Sequence, residues 1–294
     1  MRTLEEKLAA NEFVVTTELN PPKGTDLDEL FSKAAALQAW VDAINLTESP
    51  RALMSVAPTA VAALLQQRGV EPIVQMTARD RNRIAIQSDL LGAALLGIRN
   101  FVFMGGDPPG NGDHPQAKPV FDLTASQMAA AARELNQGRD LSGNALRGVP
   151  RLFFGATVNP GASDFAAEVT NTKRKIDAGV SFLQTQALYE PAPLERFLEA
   201  VNPRGIAVLA GIIPLKSAKM ATWLNERVPG IRVPDELVMK MAQAGGTGRE
   251  LEVSVQLAAQ TIRAVRPLCA GVHLMAIGWE AHIPAILQAA GLRQ

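Results

Sequence analysis

A single rhythm constrains this chain most: short β-rich runs alternate with longer Ala- and Leu-rich stretches from one end to the other. Strands are expected at 13–19, 41–46, 72–76, 100–104, 151–158, 181–186, 206–211 and 272–276. Apolar residues at helical spacing fill the intervals, at about 27–37, 58–68, 81–96, 124–136, 164–178 and 193–201, then from Ser217, with a terminal helix over 280–290. The punctuation agrees. Pro58 suits a first helical turn, Gly69, Gly97 and Gly179 suit helix stops, and Asp26 and Thr124 can cap. Parallel strands need such crossovers, which cover the sheet with helices. Eight repeats within 294 residues predict an α/β fold of the closed (β/α)8 TIM-barrel type, a single domain over 1–294, and not an open doubly wound sheet. The stretches 235–244 and 249–265 are more helix than one crossover requires, so extra helices are expected before the last strand.

Composition narrows the function classes. Lys+Arg and Asp+Glu balance at 29 each, and no basic run occurs, which argues against nucleic acid as a main partner. Hydrophobic residues at 47% provide a core, and no apolar run of about 18 residues spans a membrane. The opening Met-Arg-Thr-Leu-Glu-Glu-Lys lacks the apolar stretch of a secretory signal, so a cytoplasmic protein is expected. The one cysteine, Cys269, excludes an internal disulfide, and His114, His273 and His282 form no spaced metal-ligand set, so no metal site is expected. There is no nucleophile elbow and no Walker-type loop, and Gly245-Gly246-Thr247-Gly248 is too isolated for a dinucleotide fingerprint.

A barrel gathers polar residues at the C-terminal ends of its strands into one mouth. Glu18 ends the first run, Asn45 and Thr47 the second, Gln75 and Thr77 the third, and Gln184 and Gln186 the sixth; Asp107 follows the fourth and Asn159 the fifth. The long irregular stretch 105–123, containing Gly-Gly-Asp-Pro-Pro-Gly-Asn-Gly, leaves the fourth strand at this same end, whereas 138–150 leads to the opposite face. Glu18 lies in an apolar and hydroxylic run, where a partly dry mouth would suit it to donate a proton, or where it would pair with a barrel cation. Asp107, between Gly106 and two prolines, is either a turn former or a carboxylate held beside a flat ligand. Asn171, Lys173, Arg174 and Lys175 make either a solvated basic face or an anchor for phosphate.

Glu18-Leu19-Asn20-Pro21-Pro22, Gly106-Asp107-Pro108-Pro109, Lys173-Arg174-Lys175-Ile176-Asp177-Ala178-Gly179, Thr185-Gln186 and Gly211-Ile212-Ile213-Pro214 occur in this order along nearly the whole chain. The set resembles the 5,10-methylenetetrahydrofolate reductase family in its compact bacterial form. The resemblance implies a TIM barrel holding FAD, with hydride passing from NAD(P)H to the flavin and then to methylenetetrahydrofolate in ping-pong order. It implies Glu18 as the general acid that assists opening of the folate's five-membered ring, Asp107 as the carboxylate near flavin and pterin, and Gln186 as a pterin ligand. FAD contacts are implied at Thr47, Gln75, Gly106, Asp107, Asn159, Asn171, Arg174 and Lys175, the last two for its phosphates, and a homo-oligomer is expected. The chain departs from the family pattern at Gln75, where relatives place His, at Asn159, where others have Tyr, and at Gly105, where Arg is frequent. Ala218 also replaces an aromatic residue, and Ala187-Leu188 a phenylalanine pair. The competing readings are a pterin-binding methyltransferase barrel without redox chemistry and a non-catalytic folate-binding subunit.

Overall fold

The eight β-rich runs pair side by side in chain order and the last pairs with the first, closing a parallel barrel in a computed structural model that describes residues 2–293. The strands are β1 (Val14–Leu19), β2 (Ala43–Leu46), β3 (Pro72–Thr77), β4 (Asn100–Met104), β5 (Phe153–Val158), β6 (Phe182–Ala187), β7 (Ala207–Ile212) and β8 (Gly271–Leu274). The helices are α1 (Leu4–Ala9), α2 (Asp28–Leu37), α3 (Pro58–Gln66), α4 (Arg83–Leu95), α5 (Ala125–Asn136), α6 (Phe165–Asp177), α7 (Ala192–Val201), α8 (Ala218–Arg227), α9 (Asp235–Ala244), α10 (Glu250–Val265) and α11 (Ile283–Ala289). The (β/α)8 barrel expected from the sequence is therefore present, with each strand within two residues of its expected bounds.

Local chemistry fixes the helix starts. Thr124 caps α5 in a full capping box with Gln127, and Asp164 and Ser217 cap α6 and α8 through their side chains. Asp26 does not cap α2: its carboxylate accepts from Asp28 N, and Leu27 holds the cap position without a side-chain bond. Three helices, α8, α9 and α10, lie between β7 and β8, two more than one crossover requires, and α9 packs between the other two. Together these helices cover an apolar cluster of Ile213, Leu215, Leu224, Ile231 and Met241 beside the end of β7.

Side chains alternate across each strand, so every second residue enters the barrel. The lowest interior layer is apolar: Val14, Ala43, Ile73, Val102, Phe153, Phe182 and Leu209. Gly155 makes room in it, because a Cβ there would lie 2.6 Å from the Phe182 carbonyl and 2.7 Å from its ring. Leu4 of α1 joins the same cluster from the N-terminal end and is fully buried, closing the bottom of the barrel. Burying such a leucine contributes about 1.5–3 kcal/mol. No element is expected here from sequence, although Thr3 and Glu6 form the capping box that starts α1, a helix of six residues with one buried side chain. Two residues further along the strands the interior turns polar, with Thr16, Asn45, Gln75, Gln184 and His273 all buried. Among the described residues no helix is long and apolar enough to cross a membrane.

Candidate active site

Above the polar layer, at the C-terminal ends of the strands, opens a cavity of about 460 Å3. Its wall includes Glu18, Gln75, Gly106, Asp107, Asn159, Lys175 and Gln186. Seven of the ten expected site residues thus converge from β1, β3, β6, the loops after β4 and β5, and α6. Thr47, Asn171 and Arg174 are not in that wall. Thr47 is buried and donates to Asn20 Oδ1 at 2.7 Å, Asn171 is half-buried on α6, and Arg174 is exposed on the same helix.

Glu18 sits at the centre of a contact set drawn from the neighbouring strand β8 and, across the barrel interior, from β3. Gln75 Nε2, from the non-adjacent β3, lies 3.4 Å from Glu18 Oε2. His273 Nε2, from β8, lies 3.5 Å from the same oxygen. The other ring nitrogen, Nδ1, is 2.9 Å from Thr16 Oγ1, which holds the ring in place. His273 is 3% exposed and lines the cavity. From sequence, His273 is weighed only as a metal ligand. Its one available signal was a polar residue between Val272 and Leu274, at the inward parity of the last strand. Among the described residues, no His, Cys, Asp and Glu side chains cluster as a metal site.

Beneath the acid, Asn45 and Gln184 bond reciprocally across the barrel, Asn45 Nδ2 to Gln184 Oε1 at 2.8 Å and Gln184 Nε2 to Asn45 Oδ1 at 3.3 Å. The Thr185-Gln186 pair owes its position to an irregularity in pairing with β7 between Gln184 and Ala187. Thr185 Oγ1 fills the break, accepting from Gly211 N at 2.9 Å and donating to Gln186 O at 2.7 Å. Such bulges re-aim side chains beside active sites. Gln186 Oε1 accepts from Ala187 N at 3.0 Å, so its NH2 group is the end left for a ligand.

Gly106 has φ +89, and an added Cβ would stand 2.9 Å from Thr77 Cβ, so only glycine lets the β4 loop lie this close to β3. Asp107 is exposed at the mouth, with Oδ2 accepting from Arg51 N at 2.8 Å. Beside the adjacent strand β5, Lys175, 6% exposed, donates to Thr157 O at 2.7 Å and lies 3.9 Å from Glu168 Oε1. Burial pushes the Lys175 amine below its ordinary pKa, with Glu168 acting the other way. Glu168 also lines the cavity and accepts from Asn159 N at 2.9 Å; it carried no signal in the sequence reading.

Fold and mouth together define a closed parallel barrel whose pocket holds three carboxyl groups, a buried imidazole, a buried amine and a set of side-chain amides. The family model for methylenetetrahydrofolate reductase matches residues 3–291, and the chain belongs to that family. It is 23% identical to "Methylenetetrahydrofolate reductase 2" of Schizosaccharomyces pombe, across 98% of this chain and 47% of that protein. It is 25% identical to the 5,10-methylenetetrahydrofolate reductase of Pectobacterium carotovorum subsp. carotovorum, across 73% of this chain and 70% of that one. The chain therefore spans about half the length of the yeast relative. Among solved structures, an uncharacterised Clostridium thermocellum protein described as binding two copies of 5-methyl-5,6,7,8-tetrahydrofolic acid shares the fold, with a TM-score of 0.65 at 14% identity over 98% of this chain and 97% of that one.

Proposed function

We propose that this chain reduces 5,10-methylenetetrahydrofolate to 5-methyltetrahydrofolate, with NAD(P)H as hydride source and FAD as carrier, the two substrates taking turns in one mouth. Family membership supports the reading. The observation that carries it is the convergence of Glu18, Asp107 and Gln186 on a single cavity.

The residues fit a flavin. The cavity lies within the roughly 300–1,000 Å3 of small-molecule sites, and Gln75 and Asn159 offer side-chain amides in its wall. Lys175 adds a buried cation at its edge, with exposed Arg174 one residue away on the same helix as a second partner for phosphate. Gly106 and Asp107 complete the set in the wall, while Thr47 and Asn171 would contribute from outside it. Bound FAD supplies hydride transfer, which these side chains cannot perform.

The remaining steps belong to the chain's own groups. Glu18 gives a proton to the folate's five-membered ring as that ring opens to an iminium ion, the species that accepts hydride. His273, fixed by Thr16, presents Nε2 to the Glu18 carboxyl at 3.5 Å and so orients the acid. Asp107 places negative charge at the mouth where the cationic iminium develops. Gln186 offers its NH2 group to the pterin. The test is an FAD titration of the purified protein followed by visible absorbance, then NADH and NADPH oxidation with and without methylenetetrahydrofolate. Flavin binding and folate-dependent oxidation yielding 5-methyltetrahydrofolate are expected. A protein that binds no FAD and shows no folate-dependent oxidation would overturn the proposal.

A further inference from the structure

We infer that Arg79 is the positioning residue for Asp107, an inference that rests on the role given to Asp107 above. Asp107 is exposed, and a solvated carboxylate at a loop tip has little burial to hold it in one orientation. What orients it is a three-loop arrangement with a buried guanidinium at its centre. The Arg79 side chain is 4% exposed. Its Nε and Nη2 grip the Asp80 carboxylate at 2.9 and 2.7 Å, which fixes the plane of the fork. Nη1 then reaches two main-chain carbonyls, Ser49 O at 3.2 Å and Asp107 O at 3.3 Å.

Those two carbonyls belong to the two halves of the Asp107 arrangement. One is the main chain of Asp107 itself. The other opens the loop after β2, in which Ser49, Arg51 and Ala52 all have positive φ (+41, +56 and +57) without being glycine. Side chains rarely adopt this conformation, and it persists only where the surroundings over-determine it. Its effect here is to aim the Arg51 N–H at Asp107 Oδ2, at 2.8 Å. Arg79 therefore holds the aspartate's backbone and, through Ser49, the strained turn that holds its carboxylate. The packing is close on the same side: a Cβ at Gly106 would lie 3.1 Å from Arg79 Cβ. Without the guanidinium the turn can relax and the carboxylate loses its fixed donor. Misplacement of a catalytic group by about 1 Å can lower a rate about 100-fold.

The test is a double-mutant cycle in the folate-dependent reaction, with kcat and KM for both substrates and Tm for every variant. Arg79→Met is expected to lower kcat at least about 10-fold, with KM for NAD(P)H changed less than about 2-fold. Arg79→Lys, a point charge that reaches one carbonyl but not both, should recover part of the loss. In an Asp107→Asn background, Arg79→Met should cost less than about 2-fold more, because its effect passes through the missing carboxylate. Losses that multiply across the two sites would overturn the inference while leaving the role of Asp107 intact. An unimpaired Asp107→Asn would instead sink that role, and the inference with it. If Arg79→Met does not fold, the same cycle run with Arg79→Lys decides by the same criteria.

Discussion

The amide pair beneath the acid gives a prediction whose size follows from burial. Asn45 is 0% exposed, whereas Gln184 is 2% exposed and borders the cavity. Gln184→Met keeps length and apolar volume but leaves both polar ends of the Asn45 side chain without their partner. An unsatisfied buried group costs about 1–3 kcal/mol, and the 3.3 Å bond is the weaker of the two, so the loss should be about 3 kcal/mol. Asn45→Leu leaves the Gln184 amide instead, but water in the cavity can reach it, and the loss should be about 1.5 kcal/mol. Removing both partners abolishes the stranded groups, so Asn45→Leu/Gln184→Met should lose only about 1 kcal/mol and be more stable than Gln184→Met alone. Urea unfolding of the four proteins, compared at equal m-values, measures this. A double variant whose loss equals the sum of the single losses would refute the reasoning, since it would mean that the two amides do not satisfy each other.

Glu18→Gln should keep NAD(P)H-driven flavin reduction within about 3-fold while lowering folate-dependent turnover about 100-fold or more; equal loss in both half-reactions would point to flavin binding or folding instead. His273→Phe should lower folate-dependent turnover about 10-fold with flavin affinity unchanged, and full activity in that variant would remove the imidazole from the mechanism. Lys175 predicts a pH dependence of stability. Its folded-state pKa is depressed by burial, so between that value and the unfolded pKa of about 10.4 the unfolded chain binds more protons. Stability from this group therefore rises as pH climbs through that window, and Lys175→Met should lack the rise. Urea midpoints of both proteins from about pH 7 to about pH 10 that run parallel would contradict it.

The fold was legible because two periodicities carry it. The alternation of short β-rich runs with helical stretches marks eight strands and the seven crossovers between them, and β4 falls at Asn100–Met104 as expected because Gly97 ends the preceding helix three residues earlier. α1 escaped although Thr3-Leu4-Glu5-Glu6 carries a capping-box pattern, because six residues are too few to show helical periodicity and its one buried leucine plugs a distant interior. Much of the mouth was legible for a related reason. In a parallel barrel every strand presents its C-terminal end to the same side, so Glu18, Gln75, Asp107, Asn159 and Gln186 could be grouped without knowing their distances. The basic segment of α6 was less readable. Neighbouring residues on a helix point about 100° apart, so Lys175 turns into the cavity wall while Arg174 remains exposed.

Non-local contacts account for what the strand ends could not show. Thr16 and His273 are 257 residues apart in sequence and meet only because β8 pairs with β1. Glu18 thus acquires its imidazole neighbour at the step that closes the barrel, and its amide neighbour Gln75 from a strand that is not adjacent to its own. Arg79 is equally invisible in sequence, since nothing local distinguishes it from Arg81, which instead bonds Glu48 through both terminal nitrogens. Arg81 also holds Asp89 at 2.6 Å, so it fastens the ends of β2 and β3 to α4, while Arg79 two residues earlier reaches the loop carrying Asp107. The two arginines divide the work by depth: one stabilises the frame through carboxylates, the other orients a site residue through carbonyls. Charge reversal at Asp89 would leave the second function in place, whereas loss of the Arg79 fork would not, because among the described residues it is the Arg79 side chain that bonds both the turn after β2 and the backbone of Asp107.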